Sequence, residues 1–234
     1  MAKRVSQMIE DQVHFWRINH PIEHKLQHKG QNLPVITISR EFGARGLKIA
    51  SILEKRLGFK VWDKEILEVI SEKLGSDVDY IKSLDEHTQN AVEDTIFGFL
   101  NRKSTNLNYS IYLVRALQAI EKYGNAIIVG RGGNYVCRNK KTFNVRIVAP
   151  LALRVDRIAE IENISKEEAR VLVKTKDEER ARFTKHNFNK DIDSPLGYDM
   201  IINSGSMSLD SVTELIIAGY QQKIGYEVTV MQAH

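Results

Sequence analysis

Three stretches of this chain carry residue types suited to chemistry on a polyanion. In Arg40-Glu-Phe-Gly-Ala-Arg-Gly46, two glycines stand between an apolar run and the start of a helical pattern. A tight turn leading into a helix leaves backbone N–H groups and the helix dipole converging on one point, a cradle for phosphate. The full P-loop pattern is absent, because Leu47-Lys48 follows Gly46 where lysine and then serine or threonine would stand. On these residues alone, a plain β–α turn that needs glycine for positive φ is an equal alternative.

The second stretch is Gly130-Arg131-Gly132-Gly133-Asn134. Glycines around an arginine let backbone approach a ligand closely, and the guanidinium can grip a phosphate or carboxylate with two hydrogen bonds. The competing reading is a salt bridge to a neighbouring helix; a place at the ligand end of a strand favours the binding role. The third stretch, Lys174 to Lys185, is a charge run that reads first as a solvated helix face held by pairs such as Glu178–Arg182. Its Arg180 and Arg182 lie about 200° apart on a straight helix. They reach one ligand together only if the helix ends or bends there, as at a mobile lid.

Alternating β and α elements would position these stretches. Residues 35–39 form a short β-branched run entered through Pro34, the pattern of a buried strand. Leu47, Ala50, Ile52, Leu53 and Leu57 mark an amphipathic helix ending at Gly58. Further strands are expected at 59–62, 126–129, 145–148 and 199–203, with helices between them. Ser165 and Glu168 announce a long helix through a capping box, and Ser208 caps the last one. Residues 64–123 read as almost wholly helical; 227–230 fit an edge strand or an interface strand equally. Five apolar strands separated by helices imply a parallel sheet covered on both faces. In such sheets ligands bind beyond the C-terminal strand ends, which selects the loop at 40–46, Asp63-Lys64 and the loop at 130–134.

Composition narrows the class. The chain has 234 residues, 42% of them hydrophobic and 27% charged, which is globular and excludes a disordered or fibrous protein. One cysteine, Cys137, excludes a disulfide framework and multi-cysteine metal sites. With no apolar run of spanning length and no signal-peptide pattern, a cytoplasmic protein without membrane contact is expected. The formal charge of +4 is too small to imply nucleic-acid binding, although it suits a small polyanion such as a nucleotide. Residues 1–32 read as a helical arm whose apolar Val5, Met8, Ile9 and Trp16 would cover the main domain or join two copies in a homodimer. His20, His24 and His28 share a helical face there, but a solvated arm is favoured over a metal site.

Taken together and in order, certain segments resemble the cytidylate kinase-like family, a branch of the P-loop nucleoside monophosphate kinases. They are Ile36 to Gly43, Asp63 to Ile66, Ile128 to Tyr135, Val148 to Pro150 and Asp177 to Arg182, within a match from about Pro34 to Gln222. The resemblance implies a three-layer α/β/α P-loop kinase-like fold at 33–234, with a helical acceptor-binding region at about 64–123 and a lid at about 165–197. It implies transfer of the ATP γ-phosphoryl group, with Mg²⁺, to a nucleoside monophosphate of the cytidylate type. Gly43, Ala44, Arg45, Gly46, Leu47 and Lys48 would hold the ATP phosphates. Asp63, Lys64, Arg131 and Asn134 would meet the acceptor, with Arg131 on its phosphate. Arg180 and Arg182 would close over the transferring group, where arginines are worth about 10³–10⁵ in rate in related chemistry.

Departures from the conventional loop accompany the likeness. Gly46 stands where the phosphate-binding lysine belongs, and Lys48 where a Mg²⁺-binding hydroxyl belongs. Arg45 replaces a glycine usual in this branch, while Val69 and Gly132 stand where classical cytidylate kinases have an arginine and an aspartate. Arg45, Arg40 or Lys48 are the candidates to replace the missing cation, Arg40 being counted with the catalytic residues. A nucleotide-binding regulatory module that kept the fold and lost the reaction is the alternative.

Overall fold

A computed structural model describes residues 34–63 and 107–225. The expected N-terminal arm with its three histidines, Lys64, Val69, the helical stretch 64–106 and the segment 227–230 lie outside the described residues, and with them any dimer through the arm.

Five parallel strands form one sheet: β1 (Val35–Arg40), β2 (Lys60–Trp62), β3 (Ala126–Val129), β4 (Thr142–Val148) and β5 (Met200–Asn203), in the order β2-β3-β1-β4-β5. Helices cover both faces, as continuous apolar strands require. They are α1 (Gly46–Leu57), α2 (Leu107–Tyr123), the short α3 (Gly133–Val136), α4 (Leu151–Glu162), α5 (Lys166–Phe188) and α6 (Leu209–Ile224). This is the parallel sheet covered on both faces that the alternation of apolar strands and amphipathic helices predicts, and the three-layer α/β/α arrangement that the resemblance implies.

Side chains alternate across the sheet. Ile36, Ile38, Val145 and Ile147 pack with Ile49 and Leu53 of α1 and Ile216 and Tyr220 of α6. Val35 and Ile128 face the other way, toward Leu113 and Leu117 of α2, with Phe183 and Phe188 against them. A separate apolar cluster joins α4 to α5 through Val155, Ile158, Ala169 and Val173.

The capping box is formed: Glu168 N–H donates to Ser165 Oγ at 3.2 Å, and Ser165 N–H to Glu168 Oε2 at 2.9 Å. From that start α5 runs unbroken for 23 residues. The bend that would let Arg180 and Arg182 act together is therefore missing. Strand β4 begins at Thr142, three residues before its apolar stretch, because Thr142 pairs with Val35 at the head of β1. Central β1, flanked by β3 on one side and β4 on the other, delivers its C-terminal end to the crevice where open α/β sheets bind ligands.

Candidate active site

The chain leaves β1 through Glu41-Phe-Gly-Ala-Arg45, and every carbonyl from Arg40 to Arg45 is engaged. Arg180 donates to Arg40 O at 2.9 Å, Arg154 to Phe42 O at 3.1 Å and Arg157 to Gly43 O at 3.2 Å. Ser204, just past β5, donates to Ala44 O at 2.9 Å. The remaining two accept backbone N–H groups, Glu41 O from Ala44 and Arg45 O from Ile49. The N–H groups of Glu41, Phe42 and Ala44 are bonded as well, to Ile147 O, Asp177 and Glu41 O, so the amides left over are those at the start of the helix. Those of Gly46, Leu47 and Lys48 open α1, have no intrahelical acceptor and receive no side-chain cap. This is how main chain makes an anion site.

Arg154 organises the outer side. It is 6% exposed although it carries a charge. Nε donates to Ala149 O at 2.9 Å and lies 3.3 Å from Glu41 Oε2; one terminal nitrogen meets Phe42 O and Asp177. Asp177 in turn accepts the Phe42 N–H at 2.7 Å, and Glu41 accepts the Ala149 N–H at 2.8 Å. A buried charge persists only when paired and hydrogen-bonded in this way. Helix α5 is thereby joined to the loop, which brings Arg180 over it, stacked on the Phe42 ring at 5.4 Å.

The inner side is cationic. Arg40 ends β1 and extends across the loop; burial, reinforced by the nearby charges of Arg180 and Arg131, pulls its pKa down to about 9, and the Asp63 carboxylate opposes this. Burial also lowers Arg131. Arg180 is lowered by burial first, with Asp177 opposing and Arg146 and Arg154 adding to the fall. Several guanidinium groups gathered at one strand end repel one another until an anion joins them. Arg146, mid-strand on β4, donates to Ser39 Oγ at 3.1 Å and pairs with Asp193. Tyr198 donates to Ile192 O at 2.8 Å, and the Arg146 guanidinium lies over its ring.

The loop after β3 is a tight reverse turn. Arg131 and Gly132 both have positive φ, 50° and 72°, and Gly133 N–H closes on Gly130 O at 3.1 Å. That is a primed turn, which favours glycine. Gly132 has a second reason to lack a side chain, since a Cβ there would overlap the Phe188 ring. The Phe188 ring occupies the space that an aspartate at 132 would need. Arg131 lies over the Phe183 ring at 4.8 Å, and Asn134 donates to Gly197 O at 3.2 Å.

The structure thus brings together Arg40, Arg131, Arg180, Asp63 and the amides from Gly46 onward. Ala44 lies buried behind the turn, while Arg45, Leu47 and Lys48 have exposed side chains. Arg182 is exposed on unbroken α5, about 200° around the helix from Arg180, so the structure does not bring the two together. Sequence reasoning overlooked Arg154 and Arg146. Each left a trace: Arg154 falls on the apolar stripe Leu151–Val155–Ile158 of its helix, and Arg146 interrupts a strand buried on both faces.

ATP and Mg²⁺ fit to different degrees. The turn, with its carbonyls tied back and the amides that open α1 left without an intrahelical acceptor, fits polyphosphate. For Mg²⁺ the first turn of α1 offers Leu47 and Lys48 rather than a hydroxyl, and no group of three His, Cys, Asp or Glu residues suited to a metal occurs among the described residues. Any Mg²⁺ would come held by nucleotide phosphates and water.

A model of the cytidylate kinase-like family matches residues 35–206. A curated cytidylate kinase from Archaeoglobus fulgidus is 27% identical over 190 residues, which is 80% of this chain and 95% of that protein. Among solved structures, an uncharacterized protein from Eubacterium ventriosum superposes with a TM-score of 0.66 at 19% identity, over 82% of this chain and 99% of that one. This last likeness concerns the fold. No described helix is long and apolar enough to cross a membrane.

Proposed function

The chain belongs to the cytidylate kinase-like family, and we propose that it transfers the γ-phosphoryl group of ATP to a nucleoside monophosphate of the cytidylate type. The observation that carries this reading is the gathering of Arg40, Arg131 and Arg180 at a turn whose carbonyls are all engaged elsewhere. Phosphoryl transfer asks a protein mainly for in-line placement, charge neutralisation and exclusion of water. A monophosphate oxygen bonds to the γ-phosphorus as the bridge to the β-phosphate breaks, and ADP leaves with that bridging oxygen. In this scheme the amides of the turn hold the donor's phosphates, and Arg131 grips the acceptor phosphate beside them. Arg180 neutralises the group in flight. Asp63 lies on the acceptor side, and Asn134 steadies the turn through Gly197.

Incubation with ATP, Mg²⁺ and a panel of nucleoside monophosphates tests this directly: a diphosphate product, greatest with CMP, is expected. Absence of any product with the whole panel overturns it.

One observation favours a second reading, a nucleotide-binding module without turnover: neither a lysine at 46 nor a hydroxyl at 47 or 48 is present. Thermal shift separates the two, because a ligand at 100 times its Kd stabilises by about 2.7 kcal/mol whether or not it reacts. A shift with ATP but no product selects the module.

A further inference from the structure

Gly46 is glycine for an unusual reason. It is the first residue of α1 and has no positive φ, so its backbone would accept any side chain. What excludes one is Arg40: a Cβ on Gly46 would lie 2.7 Å from Arg40 Cβ and 2.8 Å from its Cγ. The Arg40 stem therefore lies directly against Gly46, at the first residue of α1. Its guanidinium continues to Gly130, where a Cβ would overlap Nη1 and stand 3.0 Å from Cζ. There it is buried beside Arg131 and Arg180.

In the P-loop pattern, glycine, four residues, glycine and lysine, a lysine placed at 46 puts the first glycine at 40. This chain has the reverse, arginine at 40 and glycine at 46. We infer that Arg40 supplies the phosphate-binding cation of this loop from its first position, and that Arg40 and Gly46 are an exchanged pair, each residue type requiring the other. Arg45 and Lys48, the other candidates, have exposed side chains. A guanidinium arriving from position 40 can bind two phosphate oxygens in a plane, where a lysine acts as a point charge. The inference rests on the phosphoryl-transfer reading for the identity of the anion.

A double-mutant cycle tests it, with calorimetric binding of a non-hydrolysable ATP analogue and of inorganic tripolyphosphate, and circular dichroism to verify folding. Arg40→Gly should weaken both ligands by roughly 10- to 100-fold, because it removes a charge-assisted hydrogen bond to phosphate. Gly46→Lys alone should also weaken them, because its side chain displaces the Arg40 stem. The double variant R40G/G46K should bind more tightly than either single variant, since the cation returns by the other route. Arg40→Lys should retain part of the affinity. Strictly additive losses in the cycle, or a folded Arg40→Gly that binds as the parent does, overturn the exchange while leaving the transfer reading standing. A parent protein that binds neither ligand overturns both.

Discussion

Asp177 accepts the Phe42 N–H at 2.7 Å across 135 residues of sequence, and its other oxygen takes the Arg154 guanidinium. One carboxylate thus holds the turn after β1, α4 and α5 in a fixed relation. Arg180, three residues further along α5, reaches Arg40 O because of it.

Removing that carboxylate should therefore show in both stability and binding. Asp177→Ala leaves Arg154 buried with one partner fewer and releases Phe42; a loss of roughly 1–3 kcal/mol in urea unfolding is expected, since Asp177 is itself partly solvated. ATP affinity should fall with it. Unchanged unfolding would mean that the network does not position the loop.

Arg180 and Arg182 make a matched pair of opposite expectation. Arg180 stacks on Phe42 and bonds to the loop, so Arg180→Ala should lower kcat by at least about 100-fold. Arg182 is exposed on the other flank, so Arg182→Ala should stay within about threefold of the parent by steady-state kinetics. Equal losses would require the helix to bend in solution.

Arg131 is expected to act on the acceptor. Arg131→Ala should raise the barrier by about 2–4 kcal/mol in kcat/KM for the monophosphate, with little change for ATP. Arg131→Lys should recover little, because a point charge does not reproduce a planar, two-bond grip. Losses falling equally on both substrates would assign it to the donor instead.

Gly132 should tolerate no side chain. Positive φ and the Phe188 ring oppose one together, so Gly132→Ala should cost about 2–4 kcal/mol in thermal unfolding. Gly132→Asp, which restores the residue conventional at that place, should be at least as harmful.

Glu121 gives the fold a pH signature. Burial raises its pKa above the usual carboxylate value, although Asn139 N–H and Thr142 Oγ1, each at 2.7 Å, oppose the rise. Between 4.5 and its raised value the folded state binds more protons than the unfolded state. This contribution to stability is full below pH 4.5 and is lost as pH rises through the folded value. Glu121→Gln should flatten that decline in urea titrations at successive pH values; an unaltered slope would place its origin elsewhere.

Much of this molecule was legible in its sequence. The apolar runs at 35–39 and 126–129 are strands because they are buried on both faces, and such strands carry no polar alternation to obscure them. The capping box at Ser165 and Glu168 is local chemistry and formed as written. The angle between Arg180 and Arg182 was also readable, and unbroken α5 keeps them apart. Choosing among Arg40, Arg45 and Lys48 was not readable. The choice depends on which stem crosses Gly46, a matter of tertiary path. Arg154 escaped for the same reason, because its partners Glu41 and Asp177 lie far away in sequence on either side.

Phosphorus NMR of a mixture of ATP, Mg²⁺, CMP and the protein follows the γ-phosphoryl group itself. Placement by the arginines, with water kept out, predicts that ADP and CDP signals grow together in equal amounts and that inorganic phosphate stays near background. Growth of inorganic phosphate in place of CDP, or an unchanged ATP spectrum with every monophosphate supplied, would contradict it.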